Sequence, residues 1–302
     1  VGSYIAWSAL NLRNRINNGE VIGPRIQQAG FYLTVPGGGG DLLIPDFPEE
    51  DIPSHVRLGV SNNAEEFKNN AKKAIDGGAD FLKILASGAV LAFDGIPGAP
   101  EMTPEEIAAV VSVAKEAGIK VTSHAHGAQS IKDSILAGVD SIEHASLADQ
   151  EAIDLAAERG VVFSMDVYNG SHAKAVGEEQ GWPEEFMRKM NETTDAQRQV
   201  FRKAVKAGVP ITFGTDAAVY PHGENAKQFS IMIEFGMTPM QAIKSATSVA
   251  AKYMGWGDEI GSVRKGYYAD IIATKKNPLE NISVLENIDF VMKGGEVIKN
   301  VN

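Results

Sequence analysis

Thr122-Ser123-His124-Ala125-His126-Gly127 follows the apolar alternation Ile119-Lys120-Val121 and leads into a small-residue helix start. The stretch reads as a β-strand that ends in two imidazoles. Side chains of an extended chain alternate faces at about 3.3 Å per residue, so His124 and His126 point the same way. Two imidazoles on one face of a strand end can share a metal or a substrate.

Three other strand ends carry matching chemistry. Ala79-Asp80-Phe81-Leu82-Lys83-Ile84-Leu85 sets Lys83 inside an apolar run. Val139-Asp140-Ser141-Ile142-Glu143-His144 ends in His144, and Val209-Pro210-Ile211-Thr212-Phe213-Gly214-Thr215-Asp216 ends in Asp216. Helix-like sequence follows each, which predicts an α/β fold, a (β/α)8 TIM-type barrel with its site at the carboxyl ends of the strands. With strands at 30–35 and 161–168 the count reaches six. The barrel is therefore predicted to lack its first strands, two of them, which would precede residue 1.

Composition bounds the class. A chain of 302 residues with 44% hydrophobic residues can bury a sizeable core. No stretch approaches the roughly 20 apolar residues of a membrane span, so no membrane partner is expected. A net charge of −11 argues against nucleic acid, whose phosphates need a basic footprint. There is no cysteine, so any metal site must be built from histidine, carboxylate or modified lysine. The compartment stays open.

Along the chain, 9–18 reads as a helix stopped by Gly19. Gly37-Gly38-Gly39-Gly40-Asp41 opens a loop over 36–53, which reads as a flexible barrel loop rather than a phosphate cradle, since no Lys-Ser/Thr follows it. Asn63 caps a helix with Phe67, Ala71 and Ala74 on one face. Thr103-Pro104-Glu105-Glu106 is a capping box leading a helix with Ile107, Val110, Val111 and Ala114 as its buried stripe. The polar insertion 169–194, which carries His172 and Trp182, reads as a long surface loop lying over the site as a lid, with His172 solvated. A helix is expected over 196–208, and another from Thr238-Pro239-Met240-Gln241 to about Met254. Beyond it, Gly261-Ser262-Val263, Ala269-Asp270-Ile271-Ile272-Ala273 and 290–298 read as short strands with a Lys-Gly-Gly hairpin signal. The expected division is an incomplete barrel over 1–255 and a remnant of a composite β-sandwich domain over 256–302.

Phe81-Leu82-Lys83, Ser123-His124-Ala125-His126-Gly127, Ile142-Glu143-His144, Gly214-Thr215-Asp216, Tyr220-Pro221-His222-Gly223 and the tail around Ala269-Asp270 together resemble the amidohydrolase superfamily, in its imidazolonepropionase and Xaa-Pro dipeptidase-like branch. The resemblance runs over nearly the whole chain. It implies a metal-dependent hydrolase of amide or ester bonds that uses metal-bound hydroxide. It further implies that Lys83 is carboxylated and bridges metals, that His124 and His144 ligate one ion, and that Asp216 ligates another while acting as catalytic base. Zinc or a similar divalent metal, one or two ions, is the implied cofactor. A lysine in an apolar strand is expected to have a lowered pKa, which frees the neutral amine to form a carbamate.

By position, His126 is a catalytic or substrate-binding candidate that stabilises charge on the scissile carbonyl, and it reads equally well as a packed histidine. Tyr168 and His222, at or after strand ends, are further substrate contacts. Dipeptides, N-acyl amino acids and small carboxylic esters all fit as substrates. The family's His-x-His pair on the first strand has no counterpart here, since His55 stands alone. Three explanations stay open: a fragment of a longer protein, strands supplied by another chain as a homo-oligomer or separate N-terminal piece, or a true truncation with one metal. A non-catalytic metal-binding scaffold is the alternative from another class.

Overall fold

The computed structural model describes residues 2, 4–44, 46–93 and 95–301. The outer limits of the two expected regions, Val1 and Asn302, lie outside the described residues, as does Pro45 of the glycine- and proline-rich loop. In chain order come α1 (Ser8–Asn17), β1 (Tyr32–Leu33), α2 (Ala64–Asp76), β2 (Phe81–Leu85), α3 (Pro104–Ala117) and β3 (Lys120–Gly127). Then α4 (Ala128–Ala137), β4 (Ser141–Leu147), α5 (Gln150–Arg159), β5 (Val162–Ser164), α6 (Asn169–Gln180), α7 (Glu184–Ala207) and β6 (Ile211–Thr212) follow. The chain ends in α8 (Gln228–Glu234), α9 (Pro239–Ser245), α10 (Ser248–Tyr253), β7 (Ile271–Ala273), β8 (Phe290–Lys293) and β9 (Glu296–Asn300).

The first six strands form one sheet in the order β1-β2-β3-β4-β5-β6, with every pair parallel. Among the described residues no pairing of β6 with β1 closes it into a barrel. A parallel sheet needs a crossover between successive strands, and the helices supply it while covering one face. On that face Leu82, Ile84, Val121, Ile142 and Phe163 pack with Ile107, Val110, Ile131, Ile153 and Phe201 in one core. Alternation then sends Lys83, His124 and His126 to the opposite, inner face. The register sets Lys83 opposite Thr122, and Leu85 opposite His124, so the polar inner side chains gather toward the carboxyl ends.

The helix starts follow their sequence signals. Thr103 and Thr238 each close a capping box, with Glu106 and Gln241 respectively, and each has proline in the first turn. Glu66 reaches back to the backbone N–H of Asn62, while Asn63 Oδ1 accepts from Glu65 and Glu66. The insertion departs from expectation, for 169–194 is a helical hairpin rather than a loop. Its second helix, α7, begins at Glu184 and runs for 24 residues. Pro183 precedes it, Glu184 and Glu185 occupy its first turn, and Met190, Thr193, Gln197, Val200, Phe201 and Ala204 bury one face at helical spacing.

Two corrections concern the end of the chain. The helix expected to reach Met254 is divided, because Thr247 at φ −129° and ψ −100° leaves helical backbone between α9 and α10. Gly261-Ser262-Val263 forms no strand, and the small antiparallel sheet is β7-β8-β9 alone. Its hairpin turns on Gly294 and Gly295 with φ of 58° and 89°, the positive pair a tight two-residue turn requires.

Candidate metal centre

Three imidazoles meet at the carboxyl end of the sheet. The ring centroids of His124 and His126 lie 4.7 Å apart, those of His124 and His144 4.6 Å, and those of His126 and His144 4.8 Å. Their nearest ligand atoms lie within 4.8 Å of one another. His124 and His126 arrive by strand alternation, but His144 does not. On β4, Ile142 packs in the helix-side core, so Glu143 faces inward and His144 would face outward on a regular strand. His144 and Ala145 instead take φ of 70° and 51°, and the pairing with β3 shifts register between Ala125 and Gly127. This left-handed kink turns His144 back into the cavity, as bulges commonly do at functional sites.

Burial, followed by the neighbouring His144, holds the His126 imidazole down at about 3. His124 is pushed well below its ordinary value by burial and then by His144, His126 and Lys83. Both rings are therefore neutral. Nε2 of His124 is buried without a hydrogen-bond partner, which fits an imidazole that awaits a metal. His126 shares a 2.9 Å hydrogen bond between Nδ1 and Ser146 Oγ, and its backbone N–H donates to Ser87 Oγ. For His144, burial favours the neutral form, but the adjacent Asp166 outweighs it and raises the pKa. Buried imidazoles beside carboxylates make a donor set suited to a divalent metal.

A second group of possible ligands shares His144 and adds Asp166 and Asp216. Asp166 is buried, which would raise its pKa, but His144 and the donors His144, Asn169 and Gln197 hold it below the usual carboxylate range. Asp216 is exposed at the cavity mouth, at φ 48°. Asn169 Nδ2 donates to both acids, at 2.9 Å to Asp166 and 3.3 Å to Asp216. Lys83 lines the same cavity, with Nζ 5.1 Å from the centroid of the Tyr32 ring. The expected fall in its pKa is overturned. Burial lowers it, but Tyr32, Glu143, Asp216 and Asp166 together raise it further, so Lys83 stays a cation in these surroundings.

The cavity, of about 610 Å³, thus brings together Lys83, His124, His126, His144 and Asp216. It leaves two expected residues outside its lining. Tyr168 packs edge-on against Tyr220 at 5.1 Å and reaches Glu224 with its hydroxyl, and His222 is exposed on the following loop. His172, expected to be solvated, is only 18% exposed and packs against Tyr220. The helical hairpin does lie over the site, with Asn169, Ala173, Met190 and Thr193 in the cavity wall. Sequence reasoning missed Asp166, Asn169, Ser146 and Gln197. Asp166 and Asn169 had one signal, their place at the carboxyl end of the strand read over 161–168; Ser146 and Gln197 had none.

Gly39 of the glycine run lines the facing wall, and the run is not the free loop the sequence suggested. A Cβ on Gly38, Gly39 or Gly40 would come within 2.9 Å of Thr34 or Ala89 side-chain atoms or closer to others. Gly39 N–H donates to Glu101 at 2.9 Å, and Asp41 is clamped by Arg57 at 2.6 and 2.7 Å. The glycines are there because no side chain fits.

Comparison with known proteins gives the same fold. An ochratoxinase of Aspergillus niger is 32% identical over 318 aligned residues, which cover 98% of this chain and 64% of that protein. This chain therefore spans somewhat less than two thirds of that relative's length. A solved structure of a Xaa-Pro dipeptidase with methionine bound in its active site is 40% identical and superposes with a TM-score of 0.92, covering 99% of this chain and 74% of the other. A prolidase complexed with N-methylphosphonate-L-proline is 28% identical, with a TM-score of 0.90 over 98% of this chain and 74% of its own. Residues 2–298 match the model of the amidohydrolase family, and the chain belongs to that family.

Proposed function

We propose that this chain hydrolyses a peptide-like amide, or a small carboxylic ester, in a metal-dependent reaction. The observation that carries the reading is the cluster of three imidazoles, two of them neutral and one with an unpartnered Nε2, beside Lys83 and Asp216 in one cavity. His124 and His144 would hold the ion, with Lys83 as its carboxylated form and Asp216 at a second position. When bound, a Zn²⁺-like ion polarises a carbonyl and lowers the pKa of water toward about 7.

The chain's own residues supply the rest. Asp216, exposed at the mouth, takes a proton from the attacking water and passes it to the leaving nitrogen or oxygen. In the tautomer in which Ser146 Oγ–H donates to Nδ1, His126 would carry its proton on Nε2 and serve as a donor to the carbonyl oxygen as negative charge develops, rather than as a ligand. Lys83 is a cation among its acids, but beside a dication the ammonium form loses that advantage, and the neutral amine is the form that takes up carbon dioxide. The names of the relatives support a substrate with an amino-acid portion: a dipeptidase holding methionine, a prolidase holding a proline phosphonate, and an ochratoxinase.

The test is metal content per chain by elemental analysis, paired with turnover of a dipeptide, an N-acyl amino acid and a matched ester before and after chelation. One or two equivalents of metal with chelator-sensitive turnover are expected. Metal without turnover of any of the three supports a metal-binding scaffold instead, and absence of both sets the site aside as a relic. Esters need less protonation of the leaving group than amides, so ester turnover is expected to exceed amide turnover; equal rates would count against that part.

A further inference from the structure

An imidazole that binds a metal must present one nitrogen and protonate the other, and what decides this for His144 is Asp166. His144 Nδ1 lies 2.9 Å from Asp166 Oδ1. A carboxylate only accepts, so Nδ1 carries the hydrogen and the lone pair of the neutral ring is on Nε2. That nitrogen makes no hydrogen bond to any described residue, and its ring stands against both other imidazoles. Asp166 is itself 6% exposed and fully engaged. Its Oδ1 also accepts from Gln197 Nε2 at 2.8 Å, and its Oδ2 accepts from Asn169 Nδ2 at 2.9 Å. Gln197 Nε2 further reaches the backbone carbonyl of His144 at 3.3 Å, where the backbone is left-handed.

We propose that Asp166 is a positioning residue of the metal centre: it fixes His144 with hydrogen on Nδ1 so that Nε2 is the ligand, and Gln197 and Asn169 hold Asp166 in place from α7 and α6. The inference rests on the reading that the centre binds a divalent ion. Asp166 also belongs to a group compact enough to ligate an ion directly, but with both oxygens already committed to three donors it serves better as the partner of a ligand than as one. Carboxylates placed behind a ligating histidine orient the ring and raise its basicity. The helical hairpin is then a structural part of the metal centre and not merely its cover.

The experiment titrates Zn²⁺ and Co²⁺ into the metal-free wild type, Asp166→Ala, Asp166→Asn and Gln197→Leu. Affinity is read by competition with a coloured chelator, coordination by the Co²⁺ absorption bands, and folding by circular dichroism. Asp166→Ala is expected to bind about 10–100-fold more weakly with unmoved Co²⁺ bands, since the ligand atoms stay the same. Asp166→Asn keeps an accepting oxygen and is expected to fall between Asp166→Ala and wild type, with Gln197→Leu weakened in the same direction. Should Asp166→Ala not fold, those two variants decide. A folded variant set that binds as tightly as wild type overturns the inference alone, because a purely structural role would lower only the melting temperature. Bands that move to a lower coordination number also overturn it, making Asp166 a ligand. A wild type that binds neither ion overturns the metal reading and this inference together.

Discussion

Among the described residues, Asp216 is the acid of the cavity that stands at its mouth in contact with solvent, which suits a group that must exchange a proton each turnover. Asp216→Asn keeps the shape and removes the base, so turnover is expected to fall by about 10²–10⁴-fold while the fold persists; undiminished turnover would remove Asp216 from the reaction. Two residues on, Ala218 is exposed at φ 127°, a backbone that side chains rarely adopt. Ala218→Gly is expected to stabilise the protein by about 1 kcal/mol, seen as a higher melting temperature. Residues such as His124 and His126 were readable because a period-two strand states which side chains share a face. His144 was readable as a strand-end residue but not as an inward-facing one, since the kink that turns it into the cavity has no sequence signature. Asp166 gains its meaning from Gln197, 31 residues away on another element, and no local pattern announces such a partner.

Among the elements, α5 shows a cap whose effect can be measured alone. Asp149 Oδ1 accepts from Ala152 N–H at 2.8 Å, and that bond, with Lys132 adding to it, holds its carboxyl below the usual value. Asp149→Ala is expected to cost about 1 kcal/mol at neutral pH. Because the folded pKa is the lower one, the unfolded chain binds the proton first. The contribution is thus complete above about pH 4 and lost as pH falls through the folded value. Urea melts of both proteins at neutral and acidic pH check this, and a difference that does not shrink in acid would mean the cap acts without its charge. The helices with capping boxes could be placed from sequence because their start signals are local. The second half of α7 was read as a helix from 196, but α6 and the first half of α7 were not, for the polar composition of 169–194 resembles a loop and Thr193 stands on the buried face where a reader looks for leucine.

For the molecule as a whole, the six strands and their order were legible, since each strand and its crossover helix form a local unit. The missing closure was legible as well, since six strands are two short of a closed barrel. The exposed Ile272, Val297 and Ile298 on β7 and β9 leave apolar edges that favour association. Light scattering is expected to give a mass above the 32.3 kDa of one chain; a strictly monomeric protein would count against it. The packed glycines bear on how the cavity could be re-engineered. Bare backbone at Gly39, with no room for a Cβ, leaves nothing to exchange on that side, so a change in what the cavity accepts has to be built opposite it, at Ala173, Met190, Thr193 and Thr194.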